Sequence, residues 1–303
     1  MAHSIPFGSR STADHVLAGI DLSRKQVLIT GCNSGVAIEV MKAFSANGAH
    51  LIGMARTLAD AELACRAVGR SVTPLGCDPT DLASVDAAVE SVRALAAPLD
   101  AVIFYSFEMQ GFADHIARFV LVNRLAEALR DRTGRIAIAS NDASMPEARG
   151  ENLLPENLSD DKIYELYAVH GQAKLPTALF AKELSRRLQA RGVIVNTFHS
   201  GTAENRNPHE ARNAGHRMIQ SLIRPFTKSP AQRAATPTLL AASPLVAGIS
   251  GEYWSNCQIS QVNPQFLDAG LAQRVWEVSA QFAAMAAGRG GLRQVAWFGG
   301  DSR

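Results

Sequence analysis

The residues best suited to chemistry near the start of the chain are Thr30-Gly31-Cys32-Asn33-Ser34-Gly35-Val36, small and polar groups set between an apolar run, Val27-Leu28-Ile29, and a helical pattern opening at Val36-Ala37. Glycines let the main chain turn sharply and lie close to a ligand, and a helix amino terminus offers unpaired N–H groups to a phosphate. Gly31, Asn33, Ser34, Gly35 and Val36 are therefore candidate contacts for the pyrophosphate of a dinucleotide. A plain strand-to-helix turn has the same composition, and the turn alone does not decide between the two.

A second chemical choice is made at Arg56. An acid at the end of the second strand of such a unit binds a ribose 2′-OH and repels a 2′-phosphate, whereas Met54-Ala55-Arg56 carries none. NADP(H) is thereby favoured over NAD(H). Arg56 also reads as a solvated residue at a helix start.

The elements that must position these groups follow in alternation. Asn47-Gly48 stops the first helix, His50 to Ala55 reads as the second strand, Ala59 to Val68 as a helix and Val72 to Leu75 as a third strand. Asp78 or Thr80 then caps a helix beginning near Leu82. Further strands are expected at Leu99 to Ile103, Gly134 to Ala139, Gly192 to Phe198 and Gly248 to Trp254, with helices at Asp114 to Leu129 and Lys228 to Ala242. Ser11-Thr12-Ala13-Asp14 has the spacing of a capped short helix. The pattern predicts a single α/β domain, a doubly wound, Rossmann-type parallel sheet flanked by helices.

Composition narrows the function classes. The chain of 303 residues has 47% hydrophobic and 19% charged residues and a net charge of +2, which suits an ordinary soluble globular protein and gives no reason to expect nucleic acid as a partner. Cys32, Cys65, Cys77 and Cys257 lack metal-ligand spacing and suit a reducing compartment, so no metal site is expected. No signal peptide and no apolar run of spanning length is read, and a cytoplasmic protein without a membrane span is the expectation. Residues 1–24 read as an extension, 25–287 as the domain, with a polar stretch rich in Arg and His at Glu204 to Thr227, and 288–303 as a mobile Gly/Arg-rich tail.

Thr30-Gly31-x-x-x-Gly35, together with Cys77-Asp78-Pro79-Thr80-Asp81-Leu82 and a lysine-bearing helix at Val169 to Leu184, resembles the short-chain dehydrogenase/reductase family. The amino-terminal segment and the tail through Leu271 to Ser279 are similar to its retinol-dehydrogenase and WW-domain oxidoreductase branch. The resemblance implies that Asp78 contacts the adenine, and that Asp114 stands where the family's relay asparagine holds a water. It also implies a substrate lid near 202–227, a small hydrophobic substrate and a homodimer or homotetramer.

The chain departs from the family where chemistry is done. Ala37 replaces the last glycine of the turn, and Phe104-Tyr105-Ser106-Phe107 replaces Asn-Asn-Ala-Gly, so aromatic rings should narrow, reshape or fill the cofactor groove. Glu108 follows as a solvated loop carboxylate or a new acid or base. His170 stands at the catalytic tyrosine, Asn141 at the serine with Ser140 before it, and Lys174 is kept. A histidine beside a lysine loses affinity for its proton and becomes a neutral base. Tyr167 precedes Lys174 by the spacing of the enoyl-reductase branch and shares a helical stripe with His170.

Three functions follow as expectations. The first is NADP(H)-dependent hydride transfer to or from a hydrophobic carbonyl, alcohol or activated alkene. The second is a non-redox dehydratase, isomerase, lyase or cyclase using His170 as general base, and the third is a silent binding subunit.

Overall fold

The computed structural model describes residues 5–69, 72–95, 97–105, 111–140, 174–199, 228–260, 262 and 268–288, with the main chain alone at 111–114 and 174–176. The strands are β1 (Gln26–Thr30), β2 (His50–Ala55), β3 (Val72–Gly76), β4 (Ala101–Phe104), β5 (Arg135–Ser140), β6 (Ile194–His199), β7 (Tyr253–Ser255) and β8 (Gln258–Ile259). They form one sheet in the order β3-β2-β1-β4-β5-β6-β7-β8, parallel except for the last pair. Helices are α1 (Ala13–Leu17), α2 (Gly35–Ala46), α3 (Leu58–Arg66), α4 (Leu82–Arg93), α5 (Gly111–Ala126), α6 (Lys174–Leu188), α7 (Pro230–Arg233), α8 (Ala235–Ala242) and α9 (Ala269–Gly288).

A sheet covered on both faces needs strands that are apolar on both sides, and this explains the unbroken runs Val27-Leu28-Ile29 and Ala101-Val102-Ile103. Val27, Ile29, Leu51, Ile103 and Phe198 pack under α1, α2, α3 and α8. Leu28, Ile52, Val102, Phe104, Ile138 and Val195 pack under α4, α5, α6 and α9. Among the described residues no helix is long and apolar enough to cross a membrane.

Local chemistry sets the boundaries. The Thr12 side chain accepts from the His15 N–H, and His15 Nδ1 accepts from the Thr12 N–H, a reciprocal cap that starts α1. Gly48, with φ +87°, closes α2 over Ser23. The helix expected from Lys228 to Ala242 divides at Ala234, where α7 hands over to α8.

Two features were not expected. The strand β8 turns back antiparallel through Asn256 and Cys257, whose φ values of +56° and +60° are those of a two-residue hairpin turn. The cap of α4 is Asp81, whose carboxylate accepts from the Ala83 N–H at 3.0 Å, and not Asp78 or Thr80. Asp78 instead folds onto Thr80.

At the amino-terminal edge of the sheet, buried Asp100 is held by the Gln26 N–H at 3.0 Å, Lys25 Nζ at 3.0 Å and Arg130 Nε at 2.9 Å. On the other face Phe119, Phe180 and Trp276 form an aromatic cluster joining α5, α6 and α9. Arg187 lies over the Trp276 ring at 4.3 Å and is paired with Glu183, which fastens α9 to α6.

Candidate dinucleotide site and catalytic corner

The strand order reverses direction between β1 and β4, and in open α/β sheets a ligand crevice lies there, outside the carboxyl ends of the strands. The crevice is tied at its base by Thr30, whose Oγ1 donates to the Tyr105 carbonyl at 2.7 Å. Gly31 turns the chain in the left-handed region, φ +57°, where a side chain would be strained. The Cys32 N–H then donates to the Met54 carbonyl at 3.1 Å and the Ser34 N–H to the Gly31 carbonyl at 3.1 Å.

Ser34 caps α2 by accepting from the Ala37 N–H at 3.3 Å. The N–H groups of Gly35 and Val36 have no helical carbonyl behind them and remain for an anion. A Cβ on Gly35 would meet nothing within 4 Å, so the space before the helix is open. Asn33 is exposed at the turn's tip, while Ala37 is fully buried and spends its methyl group in packing. These residues fit the pyrophosphate of a dinucleotide.

Arg56 follows β2, is exposed, and has no ion pair among the described residues. It precedes Thr57, the cap of α3, and so stands ahead of the helix rather than in it. No carboxylate occupies the end of β2, and a ribose 2′-phosphate would be compatible with it. Asp78, half-buried beyond β3, accepts from the Thr80 N–H at 3.0 Å and hydroxyl at 2.6 Å, and its own N–H donates to Ser84 Oγ at 2.9 Å. The segment is thereby fixed at the carboxyl end of β3.

Phe104 does not fill the groove. It is 1% exposed and lies in the core beneath α5 and α6 because, as the last residue of β4, it alternates to that face. Tyr105 takes the opposite face and packs edge-on against Phe198, ring centroids 5.6 Å apart. Burial pushes its phenol far above the usual range, with Arg233 opposing weakly, so Tyr105 stays protonated. Phe107 and Glu108 lie outside the described residues.

Of the expected catalytic groups, Ser140 ends β5 and is buried. Lys174 opens α6 and Asp114 lies in the first turn of α5. Asn141, Tyr167 and His170, with the lid near 202–227, lie outside the described residues. Two neighbours of Ser140 were missed from the sequence. His199 is its register partner at the end of β6, and buried Arg118 on α5 donates to the Ala139 carbonyl at 3.0 Å. Parallel register puts Ser140 and His199 on one face, a relation of strand pairing that neither segment shows alone.

The comparisons with known proteins agree with this geometry. A family model described as short chain dehydrogenase matches residues 25–104. The WW domain-containing oxidoreductase of Drosophila melanogaster is 31% identical, over 90% of this chain and 72% of its own length. Retinol dehydrogenase 14 of Mus musculus is 31% identical over 84% of each chain. L-Sorbose reductase of Gluconobacter frateurii, solved with NADPH and L-sorbose, has the same fold at a TM-score of 0.59 and 20% identity, covering 78% of this chain and 96% of that one. The chain belongs to the short-chain dehydrogenase/reductase family.

Proposed function

We propose that the protein is an NADP(H)-dependent oxidoreductase that moves a hydride to or from a small hydrophobic carbonyl, alcohol or activated alkene. The observation that carries this reading is the open, glycine-floored cradle at the amino end of α2, next to a strand end that bears Arg56 and no acid. The relatives named for oxidoreductase and retinol dehydrogenase activity, and the NADPH in the sorbose reductase, support it.

Gly31, Asn33, Ser34, Gly35 and Val36 would hold the pyrophosphate, Arg56 the 2′-phosphate and Asp78 the adenine side. When bound, the nicotinamide supplies the hydride. The protein's own work is to orient the substrate oxygen and handle one proton. Ser140 or Asn141 orients the oxygen by hydrogen bonding. His170 or Tyr167 exchanges the proton, Lys174 tunes that group, and Asp114 holds a water of the relay. The family resemblance also supports a homodimer or homotetramer, and the free cysteines suit a cytoplasmic protein.

The test is a screen of hydrophobic aldehydes, ketones and activated alkenes with NADPH, following nicotinamide absorbance and substrate together. Substrate-dependent oxidation of NADPH is expected. Substrate turnover with no change in the nicotinamide would instead establish non-redox chemistry.

A further inference from the structure

Two thiols meet behind the phosphate turn. Cys32 lies within that turn and is fully buried; Cys65 lies in the last turn of α3 and is nearly so. Both sulfurs face Gly53 of β2, where a Cβ would stand 2.6 Å from the Cys65 sulfur and 3.4 Å from the Cys32 sulfur. Both sulfurs therefore crowd one point that only glycine leaves free. The neighbouring Cys65 sulfur, with burial adding to it, pushes the Cys32 thiol up and keeps it protonated. The proximity of Cys32, against burial and with help from the Gly53 main chain, holds the Cys65 thiol below its usual range, which favours Cys65 as the first of the two to attack.

We propose that Cys32 and Cys65 form an oxidation site, at which a hydroperoxide makes a disulfide that joins the phosphate turn to α3 and weakens dinucleotide binding. The consequence for binding rests on the cofactor reading above. In the first step the Cys65 sulfur attacks a peroxide oxygen; the O–O bond breaks, Cys65 becomes a sulfenic acid, and water leaves. In the second step the Cys32 sulfur attacks the Cys65 sulfur, the S–O bond breaks, and a second water carries away the thiol proton. Hydrogen peroxide is reduced by two electrons and the two thiols are oxidised by two.

The bond draws the sulfurs to about 2.05 Å, well inside thiol contact, so the turn or α3 has to move. Both carry cofactor contacts, since α3 starts immediately after Arg56 and Thr57. The Cys32 N–H is tied to Met54, so movement of Cys32 shifts the turn against β2.

The experiment treats the full chain with hydrogen peroxide, maps its peptides without reduction, and titrates NADPH before treatment, after treatment and after dithiothreitol. A linked Cys32–Cys65 peptide is expected, with NADPH affinity at least about tenfold weaker and restored by reduction. Cys65→Ser, or Cys65→Ala should the first fold poorly, is expected to bind NADPH and ignore peroxide. Absence of the linked peptide, or a linked form with unchanged affinity, overturns the inference alone. Failure of the reduced protein to bind NADPH overturns the cofactor reading and this inference with it.

Discussion

The hydroxyl of Thr30 donates to the main-chain carbonyl of Tyr105 at 2.7 Å, joining the ends of β1 and β4 across the point where the sheet reverses direction. Both groups are buried, so removing the donor leaves the carbonyl short of a partner. Thr30→Val is expected to lower stability by about 1–3 kcal/mol, measured as the urea midpoint. It is also expected to weaken dinucleotide binding, because the crevice floor loses its tie.

Gly31 and Gly35 are expected to separate backbone strain from ligand space. Gly31 has φ +57°, and Gly31→Ala should destabilise the fold by about 1 kcal/mol or more. Gly35 meets nothing within 4 Å, so Gly35→Val should leave thermal stability nearly unchanged while lowering NADPH affinity at least about tenfold. Calorimetry and fluorescence titration of the two variants check this.

The buried carboxylate of Asp100 anchors β1 to β4 and to Arg130. Burial alone would raise its pKa, but hydrogen bonds from the Gln26 N–H, Arg130 and Lys25 together outweigh it and leave the group below the usual carboxylate value. Its contribution is present above the unfolded pKa near 3.8 and is lost as pH falls through the lower folded value. Asp100→Asn is expected to cost about 1–3 kcal/mol at neutral pH and to flatten that acid limb in urea unfolding.

His115 on α5 works the same way with a wider span. Ser279 donates to the Val275 carbonyl at 2.6 Å, so His115 Nε2–H is the donor to Ser279 Oγ at 2.8 Å. Burial, with Arg118 adding to it, pushes the imidazole down from 6.5 to about 3. The unfolded chain takes up this proton first, so the stability is full above 6.5 and falls as pH drops from there toward about 3. His115→Phe is expected to reduce the pH slope of stability in that window by up to about 1.4 kcal/mol per pH unit, read from urea midpoints.

Much of the fold was legible because β1 to β6 carry their signal locally, as apolar runs punctuated by Gly31, Asn47-Gly48 and the caps Thr12 and Ser34. The residues missed depend on partners far along the chain. Asp81 captures the α4 cap because Asp78 is engaged by Thr80 and Ser84. Phe104 reads as an obstruction from its motif position, yet strand alternation sends it into the core. Arg118 and His199 join the Ser140 corner only through the packing of α5 and the register of β5 with β6. The hairpin turn at Asn256-Cys257 is hidden because a cysteine stands where a left-handed turn usually has glycine.

The titration of the purified full chain with NADPH and NADH, followed by nicotinamide fluorescence, tests the dinucleotide site most directly. Saturable binding of NADPH, tighter than NADH by about tenfold or more, with the difference removed by Arg56→Ala, is the expected result. Binding of neither cofactor, or equal affinities unaffected by Arg56→Ala, would contradict it.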